Sequence, residues 1–326
     1  MIKVISYMKV IPPGNKNPQK PMIIRNFIEG VNRCGDKGLV TSSRQIIEAD
    51  VAVIQGFVHK DSKNTPHLNL RKAIYENQIN RGKRCVIVDS SLFLWKDPTQ
   101  TRGYLRYGYD GIFPNTAEYC DVNPNPERWR KISQDLNIEL KPWRLNQKEG
   151  HILICCQRDG GWSMDGRGVQ QWLKEVITAI RMRTQRSILV RFHPGDKNVK
   201  VHRNTLANWM QSDSTTFKDV FVSDTKSLHE DFYTAHSLVG HNSSPTCASV
   251  IEGIPTFVTD PARAQASTVA HHSFDEIEEH KDFDRKLFVE RLAQMHWTLD
   301  EVRNGQCWLH MRKWATKQSS STAQPA

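Results

Sequence analysis

The feature that most constrains this chain is an alternation. Short, wholly apolar runs that stop on a polar residue take turns with stretches whose apolar residues recur at helical spacing. Runs such as VAVIQGF, RCVIVD, HILICCQ and SILVRF fit strands buried on both faces, the condition of a parallel sheet covered by helices. Strands are expected in the first half over residues 1–8, 49–57 and 85–88. Between them the spacing predicts helices over 21–34 (Ile24, Phe27, Ile28, Val31, closed by Gly35) and over 69–81, ended by Gly82. Residues 123–150 interrupt the rhythm with proline and charge and read as a passage between domains. A second set follows, with strands over 151–157, 188–192, 220–222, 237–240 and 256–258 and helices over 169–181, 206–210 and 246–252. The expected architecture is α/β, with two Rossmann-like, doubly wound parallel-sheet domains facing a cleft. The first spans 1–145 and the second 146–282. Helices over 283–316 are expected to pack back on the first domain, and the polar tail over 317–326 is disordered by composition.

The 326 residues, 38% of them hydrophobic, suffice for two cores. No apolar run approaches the roughly 18 residues of a membrane span, and the opening MIKVISYMKVIPPGNK lacks a signal-peptide layout. Seven scattered cysteines without metal-ligand spacing, several inside apolar runs, read as reduced buried thiols. A cytoplasmic monomer is the expectation. The net charge of +10 favours a polyanionic partner, although a merely soluble basic surface gives the same balance. Residues 60–106 carry ten Lys/Arg against four Asp/Glu. Lys60, Lys63, Arg81, Lys83, Arg84, Arg102 and Arg106 are the candidate DNA contacts, with Trp95, Tyr104, Tyr107 and Tyr109 interleaved to stack on bases.

In open α/β sheets ligands gather at the carboxyl ends of strands. Three loops of the second half belong there. Gln157-Arg158-Asp159-Gly160-Gly161 offers backbone N–H groups before a helix, a way to hold phosphate that a plain turn would also explain. Arg191, His193 and Pro194 follow the run SILV. Gly240-His241-Asn242-Ser243-Ser244-Pro245 leads into a helix, where Thr246 and the serines serve as caps or as anion ligands. The Asp282-Phe-Asp284 triplet resembles a metal pattern but reads as a solvated face, and His271-His272 has no matching ligands, so no metal is expected.

A strand ending in His193-Pro194, then a strand followed by Ser243-Ser244, a helix, Gly253 and Pro255, resembles nucleotide-sugar transferases of the GT-B fold. It is most similar to the HP and S motifs of bacterial polysialyl- and capsule-type transferases, over residues 151–260. The resemblance implies a metal-independent glycosyltransferase with no cofactor beyond its donor, a nucleotide sugar, UDP-linked by preference. The histidine and serines would bind the donor phosphate. Many such enzymes carry Glu four residues after the serine pair, where this chain has Ala248; Glu252, one turn on, is the substitute candidate.

Transfer to a hydroxyl requires a base. Asp89, which ends RCVIVD, is the first candidate, with a helix cap as its other reading. Asp110, in an Asp-Gly pair, and His59 follow. The position of Asp89 resembles that of the base in phage DNA glucosyltransferases, and YLRYGYDGIF resembles a run in glycosyltransferase-like proteins of large marine phages. The acceptor this implies is 5-hydroxymethylcytosine in double-stranded phage DNA. A surface-polysaccharide transferase using a CMP- or UDP-sugar is the alternative, and a non-catalytic nucleic-acid-binding protein on the same scaffold is the third reading.

Overall fold

The computed structural model describes residues 1–8, 19–56, 65–93, 104–145, 148–160, 162–164, 166–225 and 227–318. In chain order the elements are β1 (Lys3–Tyr7), α1 (Gln19–Arg33), β2 (Lys37–Thr41), β3 (Val51–Gln55), α2 (Pro66–Asn80), β4 (Arg84–Ser90), β5 (Leu105–Tyr109) and α3 (Pro126–Leu136). There follow β6 (His151–Cys155), α4 (Val169–Arg181), β7 (Ile188–Arg191), α5 (Val199–Ser212), β8 (Val220–Val222), α6 (Leu228–Tyr233), β9 (Ala235–Gly240), α7 (Ser244–Ile251) and β10 (Thr256–Val258). The chain ends in α8 (Lys286–Gln294), β11 (His296–Trp297), α9 (Leu299–Arg303) and α10 (Gln306–Met311).

These elements form two compact units. Unit 1 draws on Met1–Ser91, Thr101–Arg128 and Arg291–Ala326, and unit 2 on Leu92–Gln100 and Trp129–Glu290. The chain passes from one unit to the other within α3 and again within α8. The α/β class and the two Rossmann-like sheets are as the alternation predicts. Among the described residues no helix is long and apolar enough to cross a membrane. None of the seven cysteines forms a disulfide, and five are buried.

Unit 2 holds five parallel strands in the order β10-β9-β6-β7-β8. Its order reverses between β6 and β9, the topological switch point of a Rossmann sheet. Residues Ile152, Ile154, Ile188 and Val190 face α4 through Trp172, Leu173, Val176, Ile177 and Ile180, a stripe at helical spacing that buries its whole inner face.

Unit 1 is mixed. Its parallel part runs β2-β1-β3-β4, and β5 then pairs antiparallel with β4, and β11 antiparallel with β5. The sequence rhythm misses β2 (KGLVT), a partly exposed edge strand with glycine and lysine in place of an apolar run. It also misreads β5: Tyr104, Tyr107 and Tyr109 are buried, not offered to nucleic-acid bases, and Tyr107 stacks on Phe27 with ring centres 5.8 Å apart. The helical reading of 283–314 breaks at β11, and the presumed passage over 123–150 contains α3.

The face of α1 built from Ile24, Phe27, Ile28 and Val31 packs into one core with the strands and with Val302, Cys307, Trp308 and Met311 of α9 and α10. Asp36 ties this junction. Its carboxylate accepts from the backbone N–H of Ile2, from Trp308 Nε1 and from the Arg312 guanidinium. The Arg312 bonds hold its carboxyl far below the usual carboxylate range despite burial. Gly30 lets α9 approach, because a Cβ at that position would lie 2.1 Å from the Val302 carbonyl oxygen. Gly30→Ala should therefore destabilise the protein by about 1–3 kcal/mol despite alanine's better helix propensity. A lowered urea midpoint checks this.

Burial holds three histidines below the ordinary value: His296 at about 3, and His280 and His310 at about 4. The unfolded chain takes up protons at these rings near pH 6.5 and the native chain does not. Stability should thus fall as pH drops from about 6.5 toward 4, by as much as ~1.4 kcal/mol per pH unit for each ring, less for the partly open His280. Asp110, pushed up to about 6 by burial, works in the opposite direction. Urea titrations across that window read the net slope.

Candidate functional site

The register of unit 2 places the motif residues. Cys155 of β6 pairs with Arg191 of β7 on one side and with Gly240 of β9 on the other. Two residues beyond each of these, in the loops that leave the carboxyl edge, come Gln157, His193 and Asn242. This is the switch point, where neighbouring loops part and leave room for a ligand.

His193 is half-buried, and its Nδ1 accepts the backbone N–H of Gly195 at 2.9 Å. The ring proton is thereby fixed on Nε2. Burial and the neighbouring Arg158 hold the imidazole below its usual range, so at neutral pH it is an uncharged donor. Arg158 is exposed and lies against the same loop: a Cβ added to Gly195 would sit 2.6 Å from Arg158 Nη2 and 3.2 Å from His193 Cε1. Pro194, exposed, begins the turn whose Asp196 N–H returns to the His193 carbonyl. Ser243 is the N-cap residue of α7, yet its side chain makes no capping bond, and its buried Oγ has no partner among the described residues. Ser244 opens the helix. A neutral N–H donor, a guanidinium, a hydroxyl and a helix N-terminus thus belong to one sheet edge. That set has the chemistry to hold an anion.

A second layer fixes these loops, and sequence reasoning missed most of it. Asn242 Nδ2 donates to the Ser163 carbonyl at 3.1 Å and to Asp260 Oδ2 at 2.7 Å. Arg263 Nε also donates to Asp260 Oδ2, at 2.6 Å. Asn242 Oδ1 accepts from Gln157 Nε2. His241 is buried, and its Nδ1 meets Thr259 Oγ1 at 2.7 Å, which also takes the Trp172 indole N–H. The signal that could have found Asp260 and Thr259 is their place directly after the last apolar run, TFV.

Other expected donor ligands lie elsewhere. At the start of α4, next to the Gly160 loop, the Val169 N–H is taken by Asp159 Oδ1. Gly160 is in the left-handed region (φ 60°), and Gly161 lies outside the described residues. Arg191 turns away from its neighbour His193: its Nη1 pairs with the fully buried Asp231 at 2.6 Å, within a net that includes Ser223 and Thr225. Thr246 is buried and donates to the Ser243 carbonyl. Glu252 caps the far end of α7, about 12 Å of helix from Ser244. Its carboxylate pairs with Lys141 at 2.6 Å.

In unit 1, Asp89 stands at the carboxyl edge of β4. Its Oδ1 accepts the Ser90 N–H at 2.6 Å, and its Oδ2 lies 3.5 Å from Arg106 Nη2. Arg71 adds a second positive charge nearby, and its guanidinium lies against Gly56. Asp110 sits at the opposite, amino edge because β5 runs antiparallel. There it accepts the Cys85 N–H and pairs with Arg84 at 2.7 Å. It is no neighbour of Asp89.

The basic cluster disperses in the same way. Arg84 and Arg106 are buried. Arg81 pairs with Glu48, and Lys83 with Asp50, both next to the amino edge and about 20 Å of strand from Asp89. His59, Lys60, Lys63, Trp95 and Arg102 lie outside the described residues.

No known protein family matches the sequence, and no curated protein does. Among solved structures the chain is similar to KpsC of Thermosulfurimonas dismutans, a beta Kdo 2,7 transferase, at 12% identity and TM-score 0.48, over 94% of this chain and 99% of that one. It is similar also to a beta Kdo 2,4 transferase of the same name and organism, at 10% identity and TM-score 0.48, over 89% of each chain. A third is the UDP-GlcNAc 2-epimerase of Methanocaldococcus jannaschii, at 10% identity and TM-score 0.36, over 96% of this chain and 99% of that one.

The two basic residues that flank Phe192 should separate cleanly. Arg191→Met strands a buried carboxylate and should cost about 3 kcal/mol or more of stability, read by denaturant unfolding. His193→Ala should leave stability nearly unchanged while weakening UDP or CMP binding roughly 10- to 100-fold, read by calorimetry.

Proposed function

We propose that this protein is a glycosyltransferase that moves a sugar from a nucleotide-activated donor to a hydroxyl. The observation that carries the reading is the parallel pairing of β6 with β7 and β9, which brings the loops of Gln157, His193 and Asn242 to one sheet edge, where Gln157 meets Asn242 and the His193 ring is fixed by the Gly195 N–H. In the proposed reaction the acceptor oxygen gives its proton to Asp89 and attacks the anomeric carbon. The bond from that carbon to the phosphate oxygen breaks, and the charge that develops on this oxygen is met by His193 Nε2–H and Arg158.

For the acceptor, the placement of the cations favours a glycan-type hydroxyl over 5-hydroxymethylcytosine in DNA. Arg81, Lys83, Arg84 and Arg106 are buried or paired, and the tyrosines between them are in the core. The test is a panel of UDP- and CMP-sugars offered with oligosaccharide acceptors or with hydroxymethylcytosine DNA, read by mass spectrometry of products. A glycosylated oligosaccharide is expected, with the rate reduced about 10²–10⁴-fold in Asp89→Ala while donor affinity survives. Glycosylated DNA would restore the nucleic-acid acceptor. Salt-dependent DNA binding with no donor affinity would replace the enzyme by a binding protein.

A further inference from the structure

Hydrogen-bond accounting along the Asn242–Gln157 pair leaves one amide atom unassigned. Asn242 Nδ2 faces two acceptors, the Ser163 carbonyl and the Asp260 carboxylate, so the amide orientation is fixed and Oδ1 must face Gln157. Gln157 therefore presents Nε2 to Asn242, and its own orientation is fixed in turn. What remains is Gln157 Oε1. Its side chain is buried, only 6% of the residue is exposed, and Oε1 has no donor among the described residues. A buried amide oxygen left without a partner is destabilising, because it has given up its hydrogen bond to water. The cost falls at the carboxyl edge of the central strand, one residue before Arg158.

We infer that Gln157 Oε1 is held to accept a hydrogen bond from a hydroxyl of the bound donor, adjacent to the phosphate that Arg158 and His193 engage. This inference rests on the proposed function and adds the chemical group that the site selects. The atom's chemistry points to a hydroxyl. A carbonyl-type oxygen repels a phosphate oxygen, whereas a hydroxyl one or two bonds from the phosphate-bearing carbon supplies the missing hydrogen. Such hydroxyls exist on the ribose and on the transferred sugar. Gln157 is thus a specificity-determining residue within an otherwise anion-directed set. A site built around a hydroxyl rejects the analogue lacking it, because the protein group is then left unpaired.

The experiment is calorimetry on wild type, Gln157→Met and His193→Ala. The probes are inorganic pyrophosphate, UDP and CMP, their 2′-deoxy and 3′-deoxy counterparts, and UDP-glucose, UDP-GlcNAc and CMP-sialic acid. Gln157→Met should bind pyrophosphate as wild type does but lose about tenfold or more for the ligand that carries the hydroxyl. If the hydroxyl is the ribose's, wild type discriminates against one deoxynucleotide by the same factor and Gln157→Met does not. If it belongs to the transferred sugar, only a nucleotide sugar loses affinity in the variant. Equal affinity of Gln157→Met and wild type for every probe, with His193→Ala still weakened, overturns the inference and leaves the donor site standing. Loss of pyrophosphate binding along with everything else in Gln157→Met makes the residue a structural brace and also overturns it. Absence of nucleotide binding in wild type removes the proposed function and the inference together.

Discussion

Parallel pairing governs most of what this molecule offers to a ligand. Because β6 to β10 all run the same way, every loop that leaves the carboxyl end of a strand opens on one edge, and the reversal of order between β6 and β9 keeps the central loops from closing over each other. Residues distant in sequence are brought to one edge by that pairing: Gln157, His193 and Asn242 each lie two residues beyond the last paired row. The antiparallel β5 shows the same rule in reverse, since its direction carries Asp110 to the edge opposite Asp89.

The apolar runs made the sheets legible. A strand buried on both faces has no polar face to hide its signal, so VAVIQ, RCVIV, HILIC and ILV stood out. Where a strand is an edge, as in β2, or carries tyrosines and arginine into a core, as in β5, composition points the wrong way. Arginine reads as surface in a sequence. Arg84 and Arg106 are inside because carboxylates or the ends of neighbouring strands await them.

The site divides along a similar line. His193 and Ser243 were legible because His-Pro and Ser-Ser follow apolar runs directly. Arg191, only two residues from His193, reads as its partner in the sequence, but it is the last residue of β7 and pairs with the buried Asp231, while His193 already belongs to the loop beyond. The orientation of Asn242 was beyond reach, since it depends on Asp260 and Ser163, which come from separate loops. Sequence shows which groups stand at an edge. Only the hydrogen-bond ledger shows which of their atoms are already committed.

The return of residues 291–326 to unit 1 bears on how the chain is born. As it leaves the ribosome, unit 2 has all five of its strands in hand by residue 258, while the sheet and core of unit 1 still await β11, Trp308 and the Arg312 partner of Asp36. The nascent order therefore inverts the order of the sequence. The half encoded second is the first able to close its core, and the half encoded first waits with α1 uncovered for about 270 residues until its helical partners are synthesised.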